Sequence, residues 1–90
     1  MLLEEIATRL NTTSDDLERE SLRYHLQHHL RVVEGELFGL ARRYGVNAVF
    51  ELDQAVRAGR FRESDAFEDY FRFDYLEGDR DTLRELLAQP

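Results

Sequence analysis

The sequence predicts an all-α fold: a long antiparallel helical hairpin with a short connecting helix and a short N-terminal helix, completing its core by oligomerisation. Three observations predict it. Leu26, Leu30, Val33, Leu37, Leu40 and Tyr44 follow one another at spacings of 4, 3, 4, 3 and 4, the heptad seam that keeps one stripe against a neighbouring helix. A second stripe, Ala66, Phe73, Leu76, Leu83 and Leu87, keeps the same period in the carboxy-terminal third, with Asp69 and Arg80 interrupting it. The one strand-like alternation, Phe71, Phe73 and Tyr75, is embedded in that helical spacing and is outweighed by it.

The elements follow in order. Leu2, Leu3, Ile6, Ala7 and Leu10 share a helical face and predict a short amphipathic helix over residues 2–10. This helix has two places to pack, its own hairpin or a second copy. Asn11-Thr12-Thr13-Ser14 breaks the pattern. Thr13 or Ser14 is a suitable cap for the next helix, and Asp15 and Asp16 favour its positive end. From residue 14 the pattern runs to Tyr44, about 30 residues at 1.5 Å each, or a rod of roughly 45 Å. Gly45 stops it, because glycine tolerates the left-handed conformation that ends helices, and Val46 folds back on the last turn. Asn47 is placed to cap a third helix over residues 48–58, closed by Gly59. Ser64, with Asp65 behind it, caps the last helix over residues 64–87. Gly78 and Asp79-Arg80-Asp81 leave open a kink or a break.

Ninety residues make one domain, near the lower limit for folding without staples, and the chain has no cysteine to form a disulfide or thiolate metal site. Such chains complete their cores by pairing, which predicts a homodimer. No stretch approaches the roughly 18 apolar residues of a membrane span. Glu4 and Glu5 stand where a signal peptide needs basic residues, so the expected location is the cytoplasm. The formal charge is −7, with 19 acids and 12 bases, all arginine. That balance disfavours direct nucleic-acid binding and suits a basic partner.

The parts of an enzyme are missing. Ser14, Ser21 and Ser64 are the only serines, none lies in a Gly-x-Ser-x-Gly elbow, and no glycine-rich loop offers a cofactor phosphate site. His25 and His29, at i and i+4 beside His28, have the spacing of two metal-binding imidazoles, and a metal-binding bundle is one alternative function. Solvated surface histidines are the plainer reading, because no Glu-x-x-His pair accompanies them.

The strongest functional signal is aromatic and acidic. At 100° per residue, Phe67, Phe71 and Tyr75 line one side of the last helix, Phe73 and Leu76 another, and Tyr70 falls between. One apolar stripe suffices to meet a hairpin's own core. The second stripe either covers the short middle helix or docks a partner. Eight acids and two arginines lie between Glu63 and Asp81. Rings supply buried area and carboxylates supply steering, so Phe67, Tyr70, Phe71, Phe73, Asp74 and Tyr75 are the candidate partner-binding residues. The same carboxylates also suit a mimic of nucleic-acid phosphates, a second alternative. Arg42, Arg43, Arg57, Arg60 and Arg62 gather near the bend, where pairing with the chain's own acids is expected.

Between Val33 and Leu87 the order of motifs is suggestive. Glu34-Gly35-Glu36 leads through Leu40-Ala41-Arg42-Arg43-Tyr44-Gly45 to Phe50-Glu51-Leu52, then Val56-Arg57-Ala58-Gly59-Arg60 and Phe67-Glu68-Asp69-Tyr70. This order resembles a family of short prokaryotic proteins with a helix ending in Tyr-Gly, a short helix, a glycine, and a Glu-Asp-Tyr start to a final helix. Proteins of that kind are often encoded beside small toxin-like proteins, so the resemblance implies an antitoxin or companion subunit. They usually carry a tryptophan in the final helix; this chain has none, and Phe71 and Phe73 are the candidates for its place.

Overall fold

The structure, a computed structural model, describes residues 2–90. Four helices follow one another: α1 (Leu2–Arg9), α2 (Ser14–Tyr44), α3 (Val49–Arg57) and α4 (Glu63–Ala88). No strand occurs among the described residues, and no helix there is long and apolar enough to cross a membrane.

Each boundary has a local cause. Asn11 takes a left-handed φ of 58° in the turn after α1, where the Thr12 N–H returns to the Ala7 carbonyl at 2.9 Å. Thr13 caps α2: its Oγ1 accepts from the Asp16 N–H at 3.1 Å. Gly45 ends α2 with φ 66°, and the Val46 N–H reaches back to the Ala41 carbonyl while its side chain is buried. Gly59, at φ 82°, closes α3 in the same way, with the Arg60 N–H on the Ala55 carbonyl at 2.9 Å.

Two expected caps are corrected. Ala48, not Asn47, holds the cap position of α3 and has no side-chain cap of its own; Glu77 Oε2 of α4 accepts from the Val49 N–H at 2.9 Å, and Glu51 Oε2, in α3's own first turn, accepts from the Asn47 N–H at 2.6 Å. Helix α4 begins at Glu63 with Arg62 as its cap residue and no side-chain cap, so Ser64 lies inside the first turn. Helix α4 runs unbroken through Gly78, so the chain does not break there.

Helices α2 and α4 form the antiparallel hairpin, and four pairs of a basic and an acidic side chain cross it. Arg43 Nη1 donates to Asp69 Oδ2 at 2.7 Å and Arg72 Nη2 to Glu36 Oε2 at 2.6 Å. Arg84 Nη2 donates to Glu34 Oε2 at 3.1 Å, and His29 Nε2 lies 3.4 Å from Asp79 Oδ2. These pairs are solvated and screened, so they tune register more than they hold the hairpin. The core does the holding. The α2 seam from Val33 to Tyr44 interlocks with Ala66, Phe73, Leu76 and Leu83 of α4, and Val46 and Leu52 close the bend end. Burying a Leu or Phe side chain contributes about 1.5–3 kcal/mol, which places most of the stabilisation in this cluster.

The molecule measures 61 × 21 × 17 Å, with a radius of gyration of 19.0 Å. A compact chain of this length would have about 12 Å. Arg23 Nη1 donates to the Leu87 carbonyl at 3.2 Å, so α4 ends level with Arg23 and residues 14–22 of α2 run past it. Helix α1 packs against α2 there.

Candidate functional site: the acidic-aromatic face of α4

The amino-terminal half of α4 is held at the bend by one polar cluster. Tyr44 Oη donates to Asp69 Oδ2 at 2.5 Å, on the same oxygen that takes the Arg43 guanidinium. The Tyr44 phenol bond draws the Asp69 carboxyl below its ordinary range, burial opposes this, and Arg43 adds to the lowering. Burial first, then the hydrogen bond to Asp69 and its charge, raises the Tyr44 phenol, with Arg43 opposing. Arg43 is raised, chiefly by its hydrogen bond to Asp69. Beside this cluster, Phe61 packs edge-on against Tyr44 with centroids 5.1 Å apart, and the Arg60 guanidinium lies 5.4 Å from the Phe61 centroid. The Tyr44-Gly45 and Glu68-Asp69-Tyr70 motifs, 25 residues apart in sequence, are thus one tertiary joint.

That joint fixes the rotation of α4. With Phe73 only 1% exposed and Leu76 buried, the opposite side carries Phe67 at 55%, Phe71 at 54% and Tyr75 at 68% exposure. Phe67 and Phe71 meet edge-to-face at 5.0 Å, and Tyr70 and Phe71 at 5.4 Å, making a contiguous aromatic ridge. Tyr70 is half-buried and packs on the core; Asp74 is exposed. Of the six candidate partner-binding residues, five face outward wholly or in part. Phe73 is the correction: it fills the centre of the hairpin and is unavailable to a docking partner.

A groove of about 500 Å³ lies between α3 and the ridge. Its walls are Val56, Ala66, Phe67, Tyr70 and Phe71, and its rim carries Glu63 and the Asp53–Arg57 ion pair at 3.0 Å. The second aromatic stripe therefore flanks the middle helix without being covered by it. Sequence reasoning missed Asp53, Val56 and Glu63 as groove residues; the i, i+4 spacing of Asp53 and Arg57 was the available signal for that pair.

Of the five arginines near the bend, two pair with the chain's own acids and two lie against aromatic rings. Arg43 and Arg57 are in ion pairs, Arg42 lies 5.7 Å from the Phe38 centroid, and Arg60 lies on Phe61. The rings of His25 and His29 stand 6.3 Å apart and tilted, with His29 turned to Asp79. Among the described residues no three His, Asp or Glu side chains converge to hold an ion.

Fold and face together define a class: an all-α hairpin protein with an aromatic ridge left outside its core. The chain belongs to the Uncharacterized protein MJ0235 family, whose model matches residues 1–89. No curated protein and no solved structure matches it.

Proposed function

We propose that the chain is a protein–protein interaction subunit that binds a basic partner through the acidic-aromatic face of α4, in the manner of an antitoxin or companion subunit. One observation carries this reading. Phe67, Phe71 and Tyr75 stay exposed on a helix whose inward stripe is already complete. Phe67 and Phe71 are in contact, Tyr75 stands on the same side of the helix, and exposed apolar patches of this kind mark interaction sites. Glu63, Glu68 and Asp74 share this half of α4, and their charge accelerates encounter with a basic surface and rejects an acidic one. The resemblance to proteins encoded beside small toxins names the first partner to try, the product of the adjacent gene. The chain also pairs with itself, since its elongated form leaves more surface than a compact monomer of its mass.

The test is co-expression with that neighbouring product, followed by affinity measurement at several salt concentrations. A complex is expected whose affinity falls as salt rises. The double variant Phe67→Ser, Phe71→Ser should weaken it at least tenfold while helicity and melting temperature stay near wild type. Absence of a complex, or one indifferent to both substitutions, rejects the reading.

A further inference from the structure

We infer that the outer face of α1 is where a second copy of this chain docks, with two α1 helices lying antiparallel across a two-fold axis. This rests on the self-association proposed above and assigns it a place.

Area gives the first argument. The chain exposes 7074 Å² for a mass of 10.7 kDa. A compact monomer of that mass exposes about 5,500 Å², so the excess is roughly 1,600 Å². A standard interface removes about 800 Å² from each partner. One self-pairing surface takes up half of the excess, and the α4 face is left for a different protein.

Position gives the second. The end of the molecule away from the bend is the under-packed end. There α2 outruns α4, and α1, laid against it, buries only Ala7. Leu2 remains 71%, Ile6 39% and Leu10 62% exposed. These residues are four apart and share one side of the helix, which continues through the Leu10 N–H bond to the Ile6 carbonyl at 3.0 Å.

Symmetry gives the third and chooses the occupant. Leu2, Ile6 and Leu10 are evenly disposed about Ile6. Two such helices run antiparallel around that residue set Leu2 against Leu10 of the second copy at both ends. The same register brings Glu5 of each copy to Arg9 of the other. An isologous interface requires this kind of self-complementarity, in which residue i meets j and j meets i. A basic partner has no preference for a face that carries both signs. The α4 face, dominated by acids, is the converse case.

Sedimentation equilibrium on the full chain over a wide concentration range provides the test. Wild type should be a dimer. Ile6→Glu should weaken dimerisation at least tenfold, and Phe71→Ser should leave it unchanged. Glu5→Arg and Arg9→Glu each place like charges together and should each shift the protein to monomer. An equimolar mixture of those two variants restores both opposite-charge pairs and should recover the dimer, which also shows that both variants fold. Monomeric wild type at every concentration would overturn the inference and the self-association reading together. A dimer that survives Ile6→Glu overturns only the α1 assignment. One broken by Phe71→Ser but not by Ile6→Glu moves the interface to α4. A mixture that stays monomeric refutes the antiparallel register.

Discussion

Asp69 occupies a core-facing position on α4 where the heptad pattern asks for an apolar residue, and it is tolerated there because two donors meet it. The Tyr44 phenol and the Arg43 guanidinium share its Oδ2, and their bonds to the ionised form favour it over the acid. A carboxyl whose folded pKa is depressed stabilises the fold above its unfolded value of about 3.9, and loses that contribution as pH falls through the folded value. Asp69→Asn should therefore cost about 1–2 kcal/mol at neutral pH. The gap between variant and wild type should close on acidification from about pH 4 downward, as wild-type Asp69 becomes protonated too. Thermal melts of both proteins from neutral to acid pH check this, and a constant gap across the range would refute it. In sequence Asp69 reads only as an interruption of a stripe. Its meaning lies in the seam tyrosine that the hairpin brings opposite, and no local pattern encodes which residues of two helices will meet.

At the scale of elements, the helices and both inward stripes were legible because they rest on periodicity, a property of the chain itself. The left-handed stops at Gly45 and Gly59 were legible for the same reason: they depend on one residue's own backbone freedom. The caps of α3 and α4 were not. The α3 cap comes from Glu77, 28 residues away, and a long-range carboxylate displaces a local Asn without leaving a mark in the local sequence. Phe73 was read in two ways, as core stripe and as docking residue, and packing against α2 decides for the core. Gly78 is the residual oddity of α4. It sits inside a continuous helix with an ordinary negative φ, and a Cβ there meets nothing within 4 Å. Replacing it with alanine removes glycine's entropic penalty without creating a clash, so Gly78→Ala should stabilise the protein by up to about 1 kcal/mol. Denaturant unfolding measures this directly. A loss of stability would mean that Gly78 makes a close approach in an assembly, which a single chain does not show.

The whole molecule is unevenly built, and its stability should be uneven in the same direction. At the bend, α2, α3 and α4 converge on Leu52, Phe73 and Tyr44, with Phe61 stacked alongside and the Asp69 cluster above. Toward the other end the seam thins to the half-buried Leu26 and Leu30, and beyond Arg23 only α1 keeps α2 company, burying one alanine. Local opening free energy follows buried apolar contact, and an isolated helix of eight residues is marginal in water. Amide exchange in the isolated chain should therefore be slowest in residues 33–44 and 66–83, approaching the global unfolding limit. It should quicken toward residues 14–22 and be fastest in α1. If α1 is the pairing surface, raising the protein concentration slows exchange in α1 and the first turns of α2 while leaving the bend unchanged, because association stabilises only what it covers. Hydrogen exchange read by mass spectrometry at two concentrations resolves these segments. Uniform protection along the chain would show that the thin end is held by contacts other than those described. Concentration-dependent slowing confined to α4 would give the second copy the aromatic ridge, and the basic partner would then have to compete for it.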